Sequence, residues 1–164
     1  MINYQKLNDK FYKDFAGLHD IMLPIKNRLS GRSFFKYILK SIPSNSEILD
    51  TACGTGIHLI ITSKLGYKVY GMDLSPEMIA QANKNVKKDR IEAVLKVGDF
   101  RKISSTYKGK KFGTVMCLGN SIAYMKNKQD LRKALKSMYE VLKPNGLIIC
   151  HCKVSPSGVS ICSE

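Results

Sequence analysis

The chain has 164 residues, a net charge of +14, a hydrophobic fraction of 44% and five cysteines. That length and apolar content point to one domain with a packed core and exclude a disordered segment. No run approaches the roughly 18 consecutive apolar residues of a membrane-spanning helix, and the polar, aromatic start MINYQKLNDKFYKDF lacks the apolar core of a signal peptide. A cytoplasmic protein without membrane attachment is expected.

Residues 1–43 read as two helices. Phe11, Phe15, Leu18 and Met22 recur at helical spacing, as do Phe34 or Phe35, Ile38, Leu39 and Ile42. Pro43 should end the second helix, because the residue before a proline leaves the α region. A strict alternation follows over residues 44–152. EILDTA is a short buried strand, and Gly56 to Leu65 a helix closed by Gly66. YKVYGMD is a second strand. SPEMIAQANKNVKK is a helix with Ser75 as cap, Pro76 at its first position and Glu77 at its positive end. EAVLKVGD and FGTVMCLG are further strands, the latter apolar enough to be covered on both faces. Asn127 to Lys143 is a long amphipathic helix with Leu131, Leu135, Met138, Val141 and Leu142 inward, stopped by Pro144-Asn145-Gly146. LIICHC is a fifth strand, and residues 153–164 an irregular tail.

Strands alternating with helices define an α/β domain with a mainly parallel sheet. Ligands in such sheets bind beyond the carboxyl ends of the strands. Four places answer that description: Asp50 to Gly56, Asp73-Leu74, Asp99-Phe100 and Leu118 to Ser121. In the first, Gly54 and Gly56 allow a ligand close to the backbone of a helix start. They fit the first half of a dinucleotide G-x-G-x-x-G pattern, but Leu59 fills the third glycine position. Asp73 can accept hydrogen bonds from ribose hydroxyls; a strand-end or capping role is the alternative. Asp99 and Phe100 can bond and pack on adenine, although Phe100 fits a core equally. Gly119-Asn120-Ser121 suits either a plain turn or a contact with the reacting group.

Together these elements, across roughly Ser46 to Ile149, resemble the class I S-adenosylmethionine-dependent methyltransferases. LDTACGTG resembles their glycine-rich first motif, with Ala52 where many members have glycine. GMDLSPEM resembles their acidic ribose motif, GDF their adenine turn, and LKPNGLI the turn before their fifth strand. The resemblance implies a Rossmann-like three-layer α-β-α sandwich of about five strands, lacking the usual last two, with S-adenosyl-L-methionine as cofactor. It implies cofactor contacts from Asp50, Ala52, Cys53, Gly54, Gly56, Asp73, Leu74, Met78, Asp99, Phe100, Leu118, Gly119 and Asn120. VMCLGNSIAYM further resembles glycine and sarcosine N-methyltransferases. That likeness puts Asn120 and Ser121 near the acceptor and Arg28 on the cofactor, with Arg32 as its rival, under an N-terminal helical cover.

The expected activity is methyl transfer to a small-molecule amine such as glycine or sarcosine. Two alternatives stand beside it: a methyltransferase of RNA or another nucleic acid, and a truncated, non-catalytic cofactor-binding protein. The charge is mostly lysine, and KKDR and KGKK read as solvated loops, with an RNA-binding patch as the alternative. Amino-methylating nucleic-acid enzymes usually carry an Asn/Asp-Pro-Pro-aromatic motif after strand four, where this chain has LGNS. The cysteines are expected to be free thiols, and Cys150-His151-Cys152 has no second pair at metal-ligand spacing, so no metal is expected. His58 is assigned no catalytic role, since such a methyl transfer needs no protein nucleophile.

Overall fold

A computed structural model describes residues 31–125 and 127–152. Arg28, the first expected helix and the tail at 153–164 lie outside the described residues. The elements are α1 (Arg32–Ile38), β1 (Glu47–Asp50), α2 (Ile57–Ser63), β2 (Lys68–Asp73), α3 (Pro76–Lys88), β3 (Ala93–Val97), α4 (Ile103–Thr106), β4 (Phe112–Cys117), α5 (Lys128–Glu140) and β5 (Leu142–Cys150). Two 3₁₀ turns, Phe100–Lys102 and Ser121–Tyr124, follow β3 and β4.

The five strands form one sheet in the order β3-β2-β1-β4-β5. All four pairings are parallel. The order reverses between β1 and β4, so a crevice opens at that switch point beyond the strand ends. Alternate strand residues serve opposite layers. Leu49, Met72, Val115 and Cys117 meet Ile103 of α4 and Ala134 and Met138 of α5 on one face. On the other, Ile48 and Met116 meet Phe35, Ile57 and Ile61, while Val69 packs with Leu59 and Ile79. The result is the expected α-β-α sandwich.

Local chemistry explains most boundaries. Gly66, at φ +94°, closes α2: its N–H bonds Ser63 O, and the next N–H, from Tyr67, bonds Thr62 O. These are the paired bonds of a left-handed glycine cap. Ser75 accepts from Met78 N at 3.1 Å and caps α3, with Pro76 behind it. Asn127 caps α5 by accepting from Asp130 N at 2.8 Å.

Three boundaries differ from expectation. The helix expected to run to Pro43 ends at Ile38. Past it the N–H groups of Lys40 and Ile42 turn back to Tyr37 O and Leu39 O in tight turns, and the Tyr67 hydroxyl donates to the carbonyls of Leu39 and Ile42 at 3.0 and 3.3 Å. The long helix stops at Glu140, not Lys143, and Pro144-Asn145-Gly146 lies within β5. There the register against β4 jumps from Phe112↔Leu142 to Thr114↔Leu147, a bulge that absorbs the proline and the positive φ of Asn145. On α5 Ala134, Ser137 and Met138 are buried, while Leu135 is 41% exposed. The expected stripe is otherwise kept, with Met138 and Val141 buried and Leu131 and Leu142 packed against the core, and Ala134 rather than Leu135 meets the sheet.

Candidate active site

Four loops flank the crevice, and hydrogen bonds tie those after β1, β2 and β3 to one another and to β4. Thr51, just past β1, donates both its N–H and its hydroxyl to Met116 O, each at 2.8 Å, fixing the first loop to β4. Cys53 N–H reaches Met72 O at 2.9 Å, and Gly54 N–H reaches Asp73 Oδ2 at 2.8 Å, fixing it to β2. Gly98 N–H donates to Asp73 O at 2.9 Å, bringing in the loop after β3. From below, Asn85 of α3 donates to Thr55 O at 2.9 Å.

Within the first loop Gly54 and Gly56 both take left-handed backbone, at φ +51° and +88°. A β-carbon on Gly56 would stand 3.3 Å from Ala82 Cβ, so this glycine serves packing against α3. A β-carbon on Gly54 would point into open space, as it would on Gly119 at φ +70°. Leu59 is fully buried in the position where a dinucleotide fold places its third glycine. Close approach of helix and strand is preserved from the other side: a β-carbon on Gly71 of β2 would stand 2.7 Å from Leu59 Cδ1 and Leu95 Cδ2.

The remaining expected residues fall into two groups. Asp73 is partly exposed at the end of β2, Leu74 beside it is 61% exposed, and Gly119 and Asn120 emerge from β4 in left-handed backbone. Ala52, Asp99, Phe100 and Ser121 are half-buried at the same strand ends. By contrast Asp50, Cys53, Met78 and Leu118 are buried, between 0% and 6% exposed. The side chains of Cys53 and Leu118 belong to the two cores of the α1–α3 face. Phe100 also packs against the main core on the opposite face. Arg32 is exposed on α1.

Two carboxylates with different surroundings flank the loop. Burial pushes the Asp73 carboxyl above the ordinary carboxylate range; N–H groups of Ser75 and Gly54 oppose that, and the charge of Asp50 adds to it. Asp50 is fully buried and meets Ala52 N and His58 Nδ1, each at 3.2 Å. Burial also drives the Cys53 thiol far up, reinforced by Asp50 and Asp73, so it is not a nucleophile.

Asp99 is engaged on both oxygens. Its own turn supplies Arg101 N–H at 2.9 Å, and the Arg101 side chain adds a two-pronged ion pair. Burial raises its carboxyl, but the bonds and charge of Arg101 outweigh that and hold it below the ordinary range. Besides His58, which the sequence reading names without a catalytic role and which meets Asp50, Arg101 and Asn85 are site-building residues that sequence reading missed. Of these only Asn85 left a trace, as a polar residue on the inward stripe of α3.

A parallel sheet reversing at β1/β4, with glycine backbone and a carboxylate at the crevice, defines a nucleotide-type cofactor domain. A family model described as a methyltransferase domain matches residues 48–146. The chain belongs to that family, within the class that depends on S-adenosylmethionine. It is 34% identical over 141 residues to the glycine/sarcosine N-methyltransferase of Parasynechococcus marenigrum (strain WH8102), covering 85% of this chain and 49% of that one. It is 35% identical over 107 residues to dTDP-3-amino-3,4,6-trideoxy-alpha-D-glucopyranose N,N-dimethyltransferase of Streptomyces venezuelae, covering 65% and 42%. The crystal structure of Streptomyces venezuelae DesVI superposes with a TM-score of 0.67 at 28% identity, over 96% of this chain and 60% of that one. The chain thus spans about half the length of the curated relatives it matches.

The residues present fit the cofactor. Gly54 and Gly119 leave open the space that side chains would fill, a carboxylate stands at the end of β2, and an exposed leucine lies beside it.

Proposed function

We propose that this chain is the cofactor-binding domain of an enzyme that methylates the amine of a small molecule. The observation that carries this reading is the hydrogen-bonded junction of Gly54 and Asp73 beyond the ends of β1 and β2, beside the switch point across which β4 leads into the left-handed Gly119-Asn120 turn. Bound S-adenosylmethionine supplies a methyl group already activated by its sulfonium charge. The chain's own part is to bind and orient. Asp73 accepts from the ribose hydroxyls, and Leu74 and Phe100 cover the base, with Asp99 at its polar edge. The backbone of Ala52, Cys53, Gly54 and Gly56 lies under the methionine portion.

Gly119, Asn120 and Ser121 lie on the acceptor side. Asn120 offers a donor and an acceptor to hold an amine with its lone pair toward the methyl group. Holding two reactants in line can supply several kcal/mol of the barrier reduction. Support for an amine acceptor comes from the relatives, named for glycine, sarcosine and amino-sugar nucleotides.

A nucleic-acid acceptor draws on one feature, an open groove of about 480 Å³ lined by Tyr70, Lys96, Tyr107, Lys108 and Lys110. Two of its cations are already engaged: Lys96 bonds Thr106 O, and Lys110 bonds Glu47. The amine reading is therefore preferred.

Labelled-methyl transfer to glycine, sarcosine, amino-sugar nucleotides and bulk RNA, run in parallel, tests the proposal. Label in a small amine supports it. Label in RNA alone overturns it, and so does cofactor binding by calorimetry with no transfer to any acceptor.

A further inference from the structure

Asp99 is held more firmly than an exposed loop carboxylate needs to be. Arg101 Nε lies 3.0 Å from Oδ1 and 2.9 Å from Oδ2, Nη2 lies 2.6 Å from Oδ2, and Arg101 N–H lies 2.9 Å from Oδ1. The same guanidinium extends Nη1 to Asp130 Oδ2 at 3.1 Å. Asp130 sits in the first turn of α5, anchored through its N–H to the Asn127 cap. Arg101 therefore spans from the loop after β3 to a helix of the scaffold.

A carboxylate has about four acceptor positions. The fork and the turn consume most of them and fix the plane of the group. Asp99 is nonetheless 24% exposed, so some of its acceptor surface faces outward. A planar guanidinium can impose that orientation, whereas a lysine ammonium holds the charge without fixing the plane. The tether to Asp130 keeps the fork from swinging away with its loop.

We propose that Arg101 is a positioning residue for base recognition, fixing Asp99 so that its outward acceptor surface selects a base bearing an exocyclic N–H donor over one bearing an oxo group. The proposal rests on the reading of Asp99 as the residue at the edge of adenine. It adds to that reading a determinant which touches no ligand and acts through another side chain. A base with an oxo group at that position would set an acceptor against a carboxylate that cannot rotate away.

Calorimetric titration of the full chain with S-adenosylhomocysteine and with S-inosylhomocysteine tests this. The two probes differ at the exocyclic position, amine against oxo, and in protonation of the adjacent ring nitrogen. The wild type is expected to prefer the adenine probe by about 10–100-fold. Arg101→Gln should reduce the preference to about threefold or less, and Arg101→Lys should fall between. Asp99→Asn should also abolish it. An unchanged preference in the Arg101 variants, with collapse in Asp99→Asn, overturns the positioning role and leaves the adenine reading intact. An unchanged preference in Asp99→Asn overturns both. A lowered Tm with intact preference in either Arg101 variant makes the residue purely structural and likewise overturns the proposal.

Discussion

The N–H of Gly54 donates to Asp73 Oδ2 at 2.8 Å, so the glycine loop and the end of β2 are one hydrogen-bonded unit. A second N–H, from Ser75 at 3.0 Å, fixes the other oxygen. The carboxylate is thus oriented before any ligand arrives, which lowers the cost of ordering it on binding. Asp73→Ala should weaken S-adenosylhomocysteine binding by about 10–100-fold, the worth of hydrogen bonds to a charged acceptor. Calorimetry reads this directly, and wild-type affinity in that variant would sink the ribose assignment.

Cofactor affinity should also fall on acidification. Burial holds the Asp73 carboxyl above the ordinary range, so in the free protein it takes up a proton before a typical carboxylate does. Ribose hydroxyls donate to the charged form, so affinity declines as pH drops through that raised value. Its contribution to stability has the opposite sign. Being raised in the folded state, it is fully favourable below the unfolded value and is lost as pH rises through the folded one. Asp99, held low by Arg101, contributes stability above the unfolded value and loses it as pH falls through its folded value. Titrations between about pH 4 and 7 should show the decline in affinity, and Asp73→Asn should flatten it.

Gly54 and Gly56 should separate function from stability. Both need left-handed backbone, which costs an alanine about 1–2 kcal/mol. Gly56→Ala adds crowding against Ala82 and should lower Tm the more, by about 2–8 °C. Gly54→Ala meets no protein atom, and its methyl group occupies the open space over the loop. It should lose more in cofactor affinity than in Tm. Thermal melting and calorimetry on the same two variants decide the matter.

His58 should matter to folding rather than to chemistry. Its Nδ1 lies 3.2 Å from Oδ2 of the fully buried Asp50, and its ring tilts against Phe35 with centroids 5.6 Å apart. His58→Ala strands a buried carboxylate and should cost about 1–3 kcal/mol. Denaturant unfolding should show the loss, and Asp50→Asn introduced alongside should recover part of it.

The four loops were legible because each places a glycine or an acid directly after an apolar run, a pattern that local sequence carries. The third glycine position was legible as an exception, but its resolution was not. Leu59 fits because Gly71, on a different element, makes room for it. Arg101 could not be read for the same reason: its partner Asp130 is near only after α5 docks. The end of α1 lies short of Pro43 because the chain tightens into turns there, and the carbonyls left past its end are satisfied by Tyr67, distant in sequence. The start of β5 was misjudged because a bulge accommodates a proline and a positive φ that elsewhere signal a stop. What was missed is therefore mainly pairing across the chain.

The adjacency of β1 and β4 has a consequence for biogenesis. The Thr51 hydroxyl and the carbonyl it bonds are 65 residues apart along the chain. At a translation rate of roughly 5–20 residues per second, several seconds separate the emergence of the two walls of the crevice. Until β4 inserts beside β1, the glycine loop has no opposite wall, and the nucleoside contacts proposed at Asp73, Leu74, Asp99 and Phe100 stand on the half-sheet β3-β2-β1 alone. The half of the crevice proposed for the nucleoside is therefore complete in sequence before the acceptor side at Gly119, Asn120 and Ser121 exists, and only closure of the sheet at the switch point unites the two.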